Sequence, residues 1–372
     1  MFYKLQNGTQ QAAYKDSLTT IGGLSKLFSD SKTPYLYYRI AEKIFCNSFG
    51  ADDLSRGDVA LDATKEGIGI GLKTFLASNN KSFQKVAEFN KDKHLYEDKP
   101  LSSLVDVVAN LRNKRIQFTQ NLYAIDSNVY HCVVRYDNHF KIFEEKMDYI
   151  DRDNISNVKQ KKNSITFNDG LHDYSFNLSK STLTKRFITD RYKDEFDVQI
   201  LQNPLKDLQD CLTINKFNYD NELTSRATVY LPLYGSKQVV YPRSGLNQWN
   251  ANGRERDVNE VYIPIPRSVH KKAPDFFPDR DQAFYLILPN KEKLLAKVCQ
   301  SNSKALMSYS NKELGKWILR DVLNLKEGEL LTYARLEILG IDSVRIDKID
   351  AKNYEINFVS LGSYEQYMAG YE

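Results

Sequence analysis

The spacing of apolar positions changes along this chain, and with it the element each stretch predicts. Residues 37–46 (YYRIAEKIFC) and 100–111 (PLSSLVDVVANL) repeat their apolar positions at helical spacing. Between them, 58–63 (DVALDA) and 68–75 (IGIGLKTF) are short strand-like runs separated by Thr64-Lys65-Glu66-Gly67, a spacing suited to a hairpin. The next stretch, 82–90 (SFQKVAEFN), predicts a helix. From Arg115 to about Phe187 the pattern is strand-rich: IQFTQNLYAID, VYHCVVRYD, FKIFEEKMDYI, SITFND and HDYSFNL, separated by Asn, Asp and Gly turns. After a charged, weakly periodic stretch containing Pro204, β texture dominates in ATVYLPLY, EVYIPIP, AFYLILP, KLLAKVCQ, SVRIDKI and YEINFVS. Only 312–324 (KELGKWILRDVLN) reads there as a helix, with Trp317 in the core. So many short strands predict a closed or half-closed barrel.

Composition bounds this picture. The chain has 372 residues, 41% apolar and 27% charged, enough for two cores, expected over 1–195 and 221–372 with a junction at 196–220. It contains no apolar run long enough to span a membrane, and MFYKLQNGTQQ is no signal peptide, so a cytoplasmic protein is expected. Cys46, Cys132, Cys211 and Cys299 lack CxxC spacing and predict buried thiols. His94, His131, His139 and His172 are too dispersed for a zinc cluster. A net charge of +4 permits a nucleic-acid partner without requiring one.

The hairpin is the candidate reaction centre. Side chains two apart along a strand share a face, so Asp58 and Asp62 can point the same way while the following strand brings Lys73 alongside. Acidic oxygens beside a lysine suit metal-dependent phosphodiester hydrolysis. The arrangement resembles the PD-(D/E)XK nuclease core, with Asp62, a hairpin, then Leu72-Lys73. That resemblance implies an α+β nuclease domain, a mixed sheet flanked by helices, using Mg²⁺. Its second acid would stand at Gly71, and some enzymes of that superfamily carry it on the next helix. The expected catalytic set is therefore Asp62, Lys73 and Glu88, the metal ligands Asp62, Glu88 and Asp58, with Gln84 as a neighbour. Gly67, Gly69 and Gly71 would let another backbone, such as DNA, approach closely. GxxxxGK[ST], GxGxxG and GxSxG are absent, and His270-Lys271-Lys272 gives one HxK where phospholipase-D-type nucleases need two.

The loop at 243–260 (RSGLNQWNANGRERDVNE) is dense in side chains that read base edges. Together with FFPDRDQAFYLILPN, KVCQSNSKALMSYSNKELGKWILRDVLNL and residues 333–358, it resembles the C-terminal domain of NgoFVII-type restriction endonucleases, a DNA-binding pseudobarrel akin to the plant B3 domain. The resemblance implies two arms gripping the major groove. The N-arm would offer Arg243, Asn247, Gln248, Trp249, Asn250, Asn252, Arg254 and Arg256, and the C-arm Ser301, Asn302, Lys304 and Ser308. Trp249 could be a wedge or pack on its own arm. The expectation is a type II site-specific endonuclease acting on double-stranded DNA, with a cognate DNA methyltransferase as functional partner and a homodimer for cutting both strands. The other class is a non-catalytic DNA-binding regulator or modified-DNA reader with a degenerate nuclease domain, which Gly71 favours.

Overall fold

The computed structural model describes every residue except 56, 58, 77–78, 191, 215–225 and 371–372, and gives 211–214 as backbone alone. Contacts divide the chain into two compact units, Met1–Ile116 with Ile125–Glu222 and Gln117–Ala124 with Leu223–Glu372. Among the described residues no helix is long and apolar enough to cross a membrane.

The first unit is mixed α/β. Helices α1 (Phe2–Leu5), α2 (Gly8–Gly23) and α3 (Tyr38–Phe49) precede strands β1 (Asp52–Asp53), β2 (Ala63–Lys65), β3 (Ile68–Leu76) and β4 (Lys81–Glu88). Helix α4 (Leu101–Tyr123) leads into β5 (Ser127–Tyr136) and β6 (His139–Lys146). A meander follows, β7 (Ser156–Lys161), β8 (Ser164–Asn168), β9 (Asp173–Asn177) and β10 (Thr182–Ile188), then β11 (Asp194–Asp197) and α5 (Pro204–Ile214). One sheet has the order β1-β2-β3-β5-β6-β11 and the other β4-β10-β9-β8-β7. Among the described residues of this unit only β3 and β5 pair in parallel. Because β11 pairs with β6, the first unit continues beyond residue 195.

Alternation along β3 and β5 decides where the core sits. Ile70, Leu72, Val129 and Val133 share one cluster with Tyr14, Phe45 and Phe49 of the helices. Within it His131 is fully buried, bonded to Tyr14 Oη (3.0 Å) and Glu144 Oε1 (2.9 Å), so this histidine is structural. The cysteines whose side chains are described, Cys46, Cys132 and Cys299, are buried thiols.

Two expected elements change type. Of the expected helix 82–90, residues 82–88 form strand, since β4 pairs with β10 from Lys81↔Ile188 to Glu88↔Thr182 and Arg186 lies 4.9 Å over the Phe83 ring. Phe83, Val86 and Ala87 carry a helical spacing that sheet pairing overrides. The start of IQFTQNLYAID is helix, because α4 runs to Tyr123 and buries Ile116, Thr119 and Leu122 at helical intervals.

The second unit is a nearly closed, barrel-like sheet. Its strands are β12 (Thr228–Pro232), β13 (Ile263–Pro264), β14 (Ala283–Ile287), β15 (Lys293–Cys299), β16 (Ala305–Ser308), β17 (Ile341–Lys348) and β18 (Asn353–Ser360), in the order β12-β17-β18-β14-β15-β16-β13. Helices α6 (Arg267–Lys272), α7 (Glu313–Gly315), α8 (Tyr333–Leu339) and α9 (Ser363–Ala369) surround it, and α7 continues as a π-helix over Lys316–Val322. Trp317 is buried there against Phe358.

Candidate functional site

In the first unit, β2 and β3 place Asp62 and Lys73 together. The ladder ends at Ala63↔Ile70, and Asp62 N–H donates to Ile70 O at 2.9 Å. The Asp62 Oδ2 atom then accepts the Leu72 N–H at 2.6 Å, and Lys73 Nζ stands 3.7 Å from the same oxygen. Lys73 also donates to Leu72 O (3.1 Å). Both side chains are about a quarter exposed, 28% for Asp62 and 24% for Lys73, so a solute can reach them.

A third group joins this pair from α3. Glu42 is 7% exposed, on the apolar stripe formed by Ala41, Phe45, Cys46 and Phe49. Burial and the neighbouring Asp62 carboxylate push its carboxyl up to about 7, with Asp53 adding to the rise while Arg39 and Lys73 oppose it. A carboxyl group held against another carboxylate near neutral pH is poised to accept a proton or a cation. Sequence reasoning missed Glu42, although a glutamate on the buried stripe of an amphipathic helix was a visible signal.

The remaining expected residues lie elsewhere. Glu88 is on β4 in the other sheet, its carboxylate bonded to Lys85 and Asn90, so it is not brought to Asp62. Gln84, on the same strand, donates to Ser82 Oγ (2.7 Å). Asp58 falls outside the described residues. Among the described residues no group of three or more His, Cys, Asp or Glu is placed to hold a metal ion. A Cβ on Gly71 would lie 2.4 Å from Met147 Cε and 3.1 Å from the Tyr130 ring, and one on Gly69 2.4 Å from Leu61 Cδ1. Side chains of the protein itself therefore occupy the space these glycines open, where an approaching DNA backbone was expected.

In the second unit, the loop after β12 is built from its two roots inward. Asn247 is 1% exposed; its Nδ2 donates to Leu331 O (2.9 Å) and Tyr241 O (3.2 Å), and its Oδ1 accepts Leu331 N–H (3.0 Å). At the other root Arg320 donates to Asn259 Oδ1 (2.9 Å) and Val258 O (2.8 Å). Gly315 lets that root press on the helix, for a Cβ there would meet Asn259 O at 1.9 Å.

Between the roots the side chains divide. Arg256 folds back on Ala251 O (2.6 Å) and lies 3.8 Å from the buried Glu260. Arg254 also bonds Glu260 yet keeps 60% of its side chain exposed. Arg243, Asn250 and Asn252 are exposed, Gln248 and Trp249 half-buried. The Trp249 Nε1 is buried without a hydrogen-bond partner. In the opposite turn, Ser301, Asn302 and Lys304 are exposed, while Ser308 is fully buried and accepts the Leu314 N–H (3.0 Å). Asn247 and Ser308 are thus framework, contrary to expectation, because the backbone groups of Leu331 and Leu314 use their polar atoms.

Residues 221–350 match the family model described as the NgoFVII C-terminal B3-like DNA-binding domain. The match covers a little over a third of the chain and lies in the second unit. It supports DNA as the partner of this unit and a relation to restriction enzymes. No curated protein matches the chain. For the first unit, the reading rests on its own geometry.

Proposed function

We propose that the chain is a sequence-specific double-stranded DNA endonuclease of type II restriction-enzyme kind, cutting through its first unit and selecting the site through its second. What supports this reading is the Asp62–Lys73 pair at one accessible strand end, with the buried Glu42 electrostatically linked to it, in a chain whose other unit matches a DNA-binding domain. Asp62 and Glu42 fit Mg²⁺, which commonly takes one or two carboxylates and fills its remaining positions with water and phosphate oxygens. When bound, that ion would supply Lewis acidity at the phosphoryl group and acidify a water. The chain's own residues do the rest. Asp62 is held rigidly by the Leu72 N–H, and Lys73 places a positive charge where negative charge grows on the phosphate. Glu42 gives up its proton as a cation arrives, and supplies from a helix the second carboxylate that Gly71 has no room for.

The exposed members of the two arms, Arg243, Gln248, Asn250, Asn252 and Arg254 with Ser301, Asn302 and Lys304, are the proposed DNA contacts. One reaction centre per chain fits a homodimer for cutting both strands, with a methyltransferase protecting the host's own sites in the same cytoplasm.

A second reading, a DNA-binding regulator or modified-DNA reader with a degenerate nuclease unit, is favoured by the closed space at Gly71 and the lack of a three-acid group among the described residues. Digestion of mixed plasmid and phage DNA with Mg²⁺ separates the two. Discrete fragments are expected, abolished by Lys73→Ala with gel shifts retained; shifts without cutting by the wild type would establish the reader, and cutting by Lys73→Ala would remove the assigned centre.

A further inference from the structure

The barrel of the second unit fails to close at one seam. Its end strands, β12 and β13, touch without forming a hydrogen-bonded ladder among the described residues. At that seam lies a cavity of about 510 Å³, within the roughly 300–1,000 Å³ of small-molecule sites. Its walls include Leu233, Tyr234, Leu246, Pro264 and Tyr364, largely apolar and aromatic. Ser244 is one of the lining residues, and its Oγ is buried behind the wall without a hydrogen-bond partner. The cavity adjoins the base of the N-arm and, through β13, the strand beside the C-arm turn. Ser244 and Gly245 open the N-arm, and β13 pairs with β16, the strand that follows the C-arm turn.

The loop at the mouth is equally distinctive. Residues 235–243 leave the cavity wall and turn sharply, with Lys237 (φ 60°) and Gln238 (φ 53°) in left-handed conformation. Two large apolar side chains on this loop are part-exposed, Val239 at 39% and Tyr241 at 45%, the Tyr241 ring lying along Gly235 with its hydroxyl 3.2 Å from Ser236 Oγ. Lys237 and Arg243 flank them, both exposed and without an acidic partner among the described residues. Apolar tips between unpaired cations suit a surface that grips phosphates and enters a base stack.

We infer that this cavity receives a single nucleobase swung out of the duplex, while Val239 and Tyr241 fill the gap it leaves. Aromatic and apolar walls stack on the ring. The inference rests on the DNA-binding reading of the second unit and is independent of the nuclease reading of the first.

The test exploits the cost of unpairing, which is smallest for a base that is already mismatched. The full-length chain selects a duplex from a randomised library, and a single mismatch is then moved through it one position at a time, with EDTA present. Binding is expected to tighten by about tenfold at one position, about 1.4 kcal/mol, since part of the pairing energy no longer opposes extrusion. Filling the cavity should erase that gain, in Ser244→Phe from within and in Ser236→Trp from the exposed rim; thermal melting checks that both variants fold. A gain at no position, or one that persists in both folded variants, overturns the inference. Failure of the wild type to select any duplex would instead remove the DNA-binding reading on which it stands.

Discussion

Glu42 and Asn247 are both polar side chains with less than a tenth of their surface exposed, 7% and 1%, and their surroundings treat them differently. Asn247 is saturated, its amide donating to two carbonyls and accepting one N–H. Glu42 is held in burial with the Asp62 carboxylate acting on it, and both make its ionisation harder. The first arrangement is what a fold needs in order to fix a loop; the second raises the energy of the free protein and is relieved by a cation or a proton. The contrast extends to the two regions. The arms contain many polar residues, several of them spent on holding the loop, whereas the acidic centre contains few and holds one of its carboxyls in a site that disfavours its charge.

The largest expected effect tests the rigidity of the arm. Gly315→Ala sets a Cβ against the Asn259 carbonyl, backbone against backbone, and should cost about 3 kcal/mol or more in urea unfolding while blurring site selection. A loss below about 1 kcal/mol would show that the root can move and that the arm is not prebuilt.

Asn247→Ala should come next, at about 2–3 kcal/mol, because the buried Leu331 N–H and C=O lose their partner. If this variant instead unfolds like the wild type and only loses sequence preference, Asn247 belongs with the probes and the contrast with Glu42 collapses.

For Glu42 the expected signature is in pH. Its folded value of about 7 lies above its ordinary 4.5, so the native state holds the proton more tightly than the unfolded chain. The resulting stabilisation is complete below the unfolded value and is lost as pH rises through about 7. Glu42→Gln should flatten that decline and be the more stable form at pH 8, by on the order of 2 kcal/mol. Mg²⁺ should raise the melting temperature of the wild type at pH 8 and not that of Glu42→Gln. A wild-type melting curve indifferent to pH between 5 and 8 would contradict the raised carboxyl.

Least visible in stability is Asn250→Ala, since Asn250 is exposed and makes only a 3.3 Å contact to Pro242 O. Unfolding should shift by less than about 0.5 kcal/mol, while discrimination between cognate and altered sites falls by about 1–3 kcal/mol. Unchanged discrimination would move the reading surface to other members of the arms.

Much of this was legible locally. Alternation in AFYLILP, KLLAKVCQ and YEINFVS becomes β14, β15 and β18, and YYRIAEKIFC becomes α3. Strand 82–88 was misread because its apolar residues fit two periods at once, and only the partner strand β10 chooses between them. Glu88 was lost with it, for a residue expected on a helix beside Asp62 ends on a different sheet.

By itself the sequence determined that both helices and strands build the first unit and mainly strands the second, the hairpin that joins Asp62 to Lys73, and a loop rich in Arg, Asn and Gln, because these depend on periodicity and on residues near in the chain. Tertiary structure decided which of those side chains are free. Whether Asn247 is a probe or a bolt depends on Leu331, whether Ser308 is exposed depends on Leu314, and whether Gly71 leaves room for a ligand depends on Met147 and Tyr130. Local sequence sets a side chain's chemistry; the space and partners left to it are set by chain segments brought in from elsewhere.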